Sequence, residues 1–213
     1  MSDNANEMLG KVAVASLQKC VEKLTKVSAG VWSIAGADVS IGSLDEAMKH
    51  RSSEEGEASA VYCEVKGEQP FITMILFDPR DIDRISKCFL GYSFSISTVL
   101  SQAEELLLSE LGNIILNSFI SALSNILKRT FIPSAPKCLR GSQQYLLETI
   151  GAALDVRQRY HVINLKLDIQ CDNSVTRSGI LALIPEKLAQ ELLSVQKAVS
   201  SDTAQAPAFK TEE

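Results

Sequence analysis

The chain has 213 residues, long enough for one domain with a sizeable core. Its 46% apolar and 22% charged residues are ordinary for a globular protein. With 26 acidic residues against 21 basic and no basic stripe, nucleic acid is excluded as an expected partner.

The first element predicted is an amphipathic helix near residues 5–26, where Leu9, Val12, Leu17, Val21 and Leu24 recur at helical spacing. "VSAGVWSIAGADVSIG" suggests two short strands broken at Gly36-Ala37-Asp38, with Trp32 in the core. "SLDEAMKHRSSEEGEAS" reads as a charged loop or short exposed helix. "AVYCEVKG" and "FITMILFDP" form a hairpin around "GEQP". "PRDIDRISKCFLG" opens a helix at Pro79 and closes it at Gly91. Its acidic residues Asp78, Asp81 and Asp83 lack the glycine and terminal glutamate of a calcium loop, so they read as a solvated helix start.

"GYSFSISTVLSQ" is serine-rich without a nucleophile elbow and reads as a strand or linker. Ser101 and Glu104 then form a capping box for a central helix continuing to Leu127. "GSQQYLLETIGAALD" is a further helix, and "RYHVINLKLDIQ" and "SVTRSGILALIP" are strands, with His161 in a structural role. "EKLAQELLSVQKAV" is a helix opened by Pro185. Residues 199–213 lack apolar periodicity and read as a disordered tail.

The order helix, strands, helix occurs twice. "MLGKVAVASLQKCVEKLT" aligns with "ELGNIILNSFISALSNIL", setting Leu9-Gly10 over Leu111-Gly112, and Pro79 falls over Pro185. The expected architecture is α/β (α+β). Two pseudo-two-fold units, about 5–92 and 100–198, form a single domain over 1–198, with long helices packed on a mostly antiparallel sheet.

Cys20, Cys63, Cys88, Cys138 and Cys171 show no CxxC spacing, and His50 and His161 are far apart, so reduced thiols and no metal site are expected. No uninterrupted apolar run reaches the roughly 18 residues of a membrane span. The N-terminus lacks a basic n-region and a signal-type apolar run. The expectation is a cytoplasmic protein without membrane insertion.

One stripe of the central helix carries Leu106, Glu110, Asn113, Asn117, Ser121, Ser124 and Lys128. The opposite face carries Ile115, Phe119, Ala122 and Ile126. A solvated face is usually filled with Lys, Glu and Arg, which favour helix. Two Asn a turn apart cost helix propensity. With Leu106 and Ile114 bordering it, the stripe reads as a partner-docking surface.

Glu110 and Asn113, followed by Pro136, resemble the signature of the CheC/CheX/FliY family of chemotaxis phosphatases. That signature runs Asp or Ser, three residues, Glu, two residues, Asn, twenty-two residues, Pro. The resemblance implies hydrolysis of the aspartyl phosphate on a CheY-like response regulator. It assigns water positioning to Asn113 and an ion pair with a partner lysine to Glu110. Leu106, Ile114, Asn117 and Ser121 would contact the partner. No cofactor of its own is implied, since the Mg²⁺ would be carried by the phosphorylated receiver. The alternatives are a non-catalytic binder of a receiver or of the deamidase CheD, or a flagellar-switch relative; retention of both Glu110 and Asn113 favours the phosphatase.

Two departures stand out. Leu106 occupies the Asp or Ser position. In the first repeat, Met8 and Lys11 stand where Glu110 and Asn113 do, which leaves at most one site, on the central helix.

Overall fold

The computed structural model describes residues 2–43, 46, 56–92, 101–155 and 157–204. Helix α1 (Ser2–Val27) precedes strand β1 (Val31–Gly42), and β2 (Glu57–Lys66) and β3 (Phe71–Phe77) form a hairpin. A 3-10 turn (Pro79–Asp81) leads into α2 (Ile82–Leu90). The long helix α3 (Gln102–Leu127) follows, then the short strands β4 (Ile132–Pro133) and β5 (Lys137–Ser142) and helix α4 (Gln143–Gly151). Strands β6 (Tyr160–Cys171) and β7 (Ser174–Pro185) and helix α5 (Glu186–Ala204) complete the order.

All strand pairs are antiparallel, in a sheet ordered β1-β6-β7-β3-β2, where both β4 and β5 pair with β2. The order is a palindrome of the two halves. β1 belongs to the first half but pairs with β6 of the second; β5 belongs to the second but pairs with β2 of the first. Each half thus completes the other's sheet, and the pseudo-two-fold axis falls between β3 and β7.

Both faces of the sheet are covered. On one, residues of α1, α2, α3 and α5 pack with Val61, Cys63, Ile75, Phe77, Ile163, Leu165 and Ile180. On the other, Leu146, Leu147 and Ile150 of α4 pack with Ala60, Ile72, Met74, Val162 and Leu181. The central strand β3 is buried throughout, its side chains alternating between the two clusters. That double burial is why its sequence is one unbroken apolar run rather than an alternation.

Local signals explain the element ends. Ser101 Oγ accepts from Glu104 N while Glu104 Oε2 accepts from Ser101 N at 2.7 Å, the reciprocal capping box expected from sequence. Gly91 takes φ 82° at the end of α2, a left-handed cap. Asp172 and Asn173, with φ of 47° and 63°, make the two-residue turn between β6 and β7. Asp78 caps the 3-10 turn by accepting from Arg80 N and pairs with the Arg80 side chain at 2.6 Å.

Several expectations are corrected. "VSAGVWSIAGADVSIG" is one strand, not two: the ladder with β6 continues across Gly36, and the register slips between Ile34 and Gly36. Ala35 is the extra residue of a β-bulge, which bends a strand without ending it. β4 and β5 were not expected, because "KCLRGS" has no alternation to announce an edge strand and its side chains are mostly half-buried. Helix α5 runs to Ala204, into the segment expected to be a tail. The expected loop or helix after Gly42 and the segment "SFSISTVL" fall almost wholly outside the described residues. Trp32 and His161 are buried in β1 and β6, and the five cysteines are free.

Candidate functional site

Helix α3 is apolar enough, by length and composition, to cross a membrane, yet half of its most apolar stretch is buried inside the protein. Leu108, Leu111, Ile115, Leu116, Phe119 and Leu123 go into the core against the sheet. Gly112 sets the depth of that contact. A Cβ at this position would lie 2.4 Å from Val61 Cγ1 and 2.7 Å from Val61 Cβ on β2. Only glycine lets the helix backbone approach the strand so closely.

This seating fixes the residues on either side of Gly112. Glu110 is exposed and Asn113 half-buried. Among the described residues, the Glu110 carboxylate makes no ion pair or hydrogen bond. Leu106, 63% exposed, and Ile114, 37% exposed, flank it with apolar surface. Asn113 is not free: its Oδ1 accepts from Asn117 Nδ2 at 2.6 Å, one helical turn on. An unpaired carboxylate beside a fixed carboxamide, on a rigid helix with an apolar rim, can grip a cationic group and orient a small polar molecule.

The remaining stripe residues divide. Ser121 is exposed. Ser124 is structural: its Oγ accepts from Phe131 N at 3.3 Å, and its carbonyl accepts from the N–H groups of Lys128 and Arg129. Lys128 forms the left-handed cap of α3, with φ 54°. Helix α1 borders the stripe, with Cys20 Sγ 3.9 Å from the Ile114 carbonyl. Pro136 lies off the helix, in the connector between β4 and β5. That connector is anchored to β2 by Ser134 N to Glu64 O at 2.8 Å, and the first residue of β5 by Lys137 Nζ to Glu64 Oε1 at 2.7 Å.

The equivalent stretch of α1 is built differently. Met8 is half-buried, and Lys11 is exposed and paired with Glu7 at 2.7 Å. Around Gly10 the nearest atoms to an added Cβ are Val39 Cγ2 at 3.7 Å and Ala37 Cβ at 3.8 Å, which is ordinary packing. The two glycines align in sequence, but only Gly112 is sterically required.

Two features of the site go beyond the sequence reading: the Gly112–Val61 contact and the Asn113–Asn117 hydrogen bond. The second had a signal, since carboxamides four apart on a helix face one another. The first had half of one, the glycine shared by both repeats.

A cleft of about 580 Å³ lies apart from this stripe, with walls from β2, β3, β5, β6 and β7. Its arginines Arg80, Arg140 and Arg177 are paired with Asp78, Glu57 and Asp168. Lys166 lines the same cleft, so the ion pairs offset the charge of its arginines but not all of its cationic charge.

The model of the CheC-like family matches residues 107–140, a span that includes Glu110, Asn113 and Pro136. No curated protein matches the chain. Among solved structures, FliY of Thermotoga maritima is similar with a TM-score of 0.67 at 15% identity, covering 92% of this chain and 96% of that one. The FliM middle domain of H. pylori follows with a TM-score of 0.62 at 12% identity, over 92% and 99%. The chemotaxis protein CheX of Vibrio vulnificus gives 0.51 at 12% identity, over 81% and 98%. At these identities the likeness is one of fold, and it extends over most of the chain. The resemblance to the CheC-like family read from Glu110, Asn113 and Pro136 is met by the family match on that same segment.

Proposed function

We propose that this CheC-like chain is a phosphatase that hydrolyses the aspartyl phosphate of a CheY-type receiver domain, using one active site on α3. The observation that carries the reading is that one stripe of α3 holds both the Glu110 carboxylate, without a partner among the described residues, and the hydrogen-bonded Asn113 carboxamide. The family match over 107–140 supports it, because that segment holds the resemblance.

Hydrolysis of an acyl phosphate needs a water in line with the leaving carboxylate; the water oxygen bonds to phosphorus as the phosphorus–carboxylate bond breaks. Asn113 suits this task. One lone pair of Oδ1 is occupied by Asn117 Nδ2, which leaves the other for a proton of the water. The amide N–H groups remain to donate to a phosphoryl oxygen. Glu110 anchors the receiver through a lysine at its phosphorylation site, and Leu106, Ile114 and Ser121 rim the contact. The receiver brings its own divalent cation, which offsets phosphoryl charge; this chain supplies position and orientation, terms that reach several kcal/mol in well-aligned reactions. A protein acting on cytoplasmic receivers would itself be cytoplasmic.

The second reading is a non-catalytic protein that binds a receiver or CheD, or serves as a flagellar-switch subunit. The likeness of fold to a FliM middle domain favours it. The two readings separate on loss of label from a CheY-type receiver carrying radioactive aspartyl phosphate. Acceleration over spontaneous decay is expected; decay at the spontaneous rate across a panel of receivers contradicts the phosphatase.

A further inference from the structure

The geometry points to Asn117 as a positioning residue: its side-chain N–H holds the Asn113 carboxamide in the one orientation that serves phosphoryl transfer. The inference rests on the phosphatase reading above and adds a residue to it. The signature of the family does not include this position.

A carboxamide has two unlike ends on one freely rotating bond. Turned by 180°, it offers a carbonyl where it had offered N–H groups. On the outer face of a helix nothing intrinsic selects between the two. Here Asn117 Nδ2 reaches Asn113 Oδ1 at 2.6 Å, a short bond for a neutral pair. Because the carboxamide is planar, engaging Oδ1 toward Asn117 turns Nδ2 away from Asn117. The charge of Glu110 reinforces the choice: an exposed carboxylate one turn back favours N–H groups on its side over a carbonyl dipole. Both neighbours therefore select the same orientation. The spacing is what makes this possible, since residues 113 and 117 face each other at i and i+4. It also accounts for an asparagine at position 117, where helix propensity alone disfavours one.

The consequence is a division of labour. Asn113 meets the reacting groups, and Asn117 acts only through Asn113. Removing the donor at 117 then lowers turnover while leaving receiver binding intact, because Glu110 and the apolar rim are untouched.

The test uses the whole chain and a CheY-type receiver labelled at its aspartyl phosphate. Asn117→Asp is close to isosteric but cannot donate; it accepts from Asn113 Nδ2 instead and turns the amide round. It is expected to lower kcat at least about tenfold, the scale of a misaligned reacting group, with KM within about twofold. Asn117→Leu, neutral and without a donor, is expected to lower kcat as well, which separates loss of the donor from added charge. Asn117→Gln keeps a donor on a longer arm and should retain most of the activity, which guards against a folding defect. Independently of turnover, the ¹⁵N side-chain resonances of Asn113 should shift in Asn117→Asp as its N–H groups take on a new acceptor. Wild-type kcat in both Asn117→Asp and Asn117→Leu, or Asn113 amide resonances unmoved in Asn117→Asp, overturns the inference and leaves the phosphatase reading standing. If wild-type protein fails to hasten loss of label from any receiver, the phosphatase reading falls and takes the catalytic role of Asn117 with it.

Discussion

Gly112 and Val61 are packed so closely that a methyl group cannot be placed between them, with an added Cβ only 2.4 Å from Val61 Cγ1. The contact lies between Glu110 and Asn113 in the chain, so the depth at which α3 seats on the sheet also sets how those two side chains are presented. Gly112→Ala should destabilise the protein by about 1–3 kcal/mol, as overpacking does. Gly10→Ala, at the aligned position in α1, should be neutral or stabilising by up to about 1 kcal/mol, because alanine favours helix and the space is there. Urea unfolding of both variants checks this. Equal effects at the two positions would mean that Gly112 is not a steric key.

Leu106 stands where the family signature has Asp or Ser, beside rather than among the groups proposed to react. It is 63% exposed at the rim of the stripe. Leu106→Ser should therefore change KM for the receiver by a few-fold and leave kcat within about twofold. A loss of kcat at constant KM would place this residue in the chemistry instead.

The α1 copy of the motif is expected to be silent. Lys11 is paired with Glu7 and offers no acceptor, and Met8 carries no charge. Met8→Ala and Lys11→Ala should each leave phosphate loss at the wild-type rate, while Asn113→Ala abolishes the acceleration. Residual activity in Asn113→Ala that disappears when Lys11 is also replaced would reveal a second site.

His161 makes folding stability depend on pH. It is buried, its Nδ1 has no partner among the described residues, and burial holds its imidazole below the usual histidine pKa against an opposing pull from Glu186. The folded state thus takes up a proton less readily than the unfolded chain, whose histidines titrate near 6.5. Stability should be full above that pH and decline as pH falls below it. Asp78 and Asp168, held low by Arg80 and Arg177, act only in the more acid range. Unfolding free energies from about pH 7.5 to 5.5 should slope in wild type and flatten in His161→Asn. Parallel slopes would assign the effect elsewhere.

The long elements were legible because their burial is one-sided or complete. α3 announces itself through Ser101, Glu104 and a core face, and β6 through its alternation. The duplication was legible from "LGK" over "LGN", though the exchange of β1 and β5 between halves was not, since strand order leaves no trace in local pattern. Ala35 could not be foreseen as a bulge, because a glycine-containing stretch that bends a strand looks like one that ends it. β5 stayed hidden because an edge strand with half-buried side chains has no clean period. For the site, helical spacing gave the polar stripe, and the choice of Glu110 and Asn113 within it came from the resemblance to the family signature. What spacing cannot give is which end of an amide points outward, and the Asn113–Asn117 bond supplies that.

The most direct measurement of the central claim is the single-turnover rate of phosphate loss from a labelled CheY-type receiver mixed with excess wild-type chain or Asn113→Ala. Wild type should hasten the loss well above spontaneous decay. Asn113→Ala should return the rate to the spontaneous value while still binding the receiver through Glu110. Asn113→Ala turning over as fast as wild type would contradict the claim.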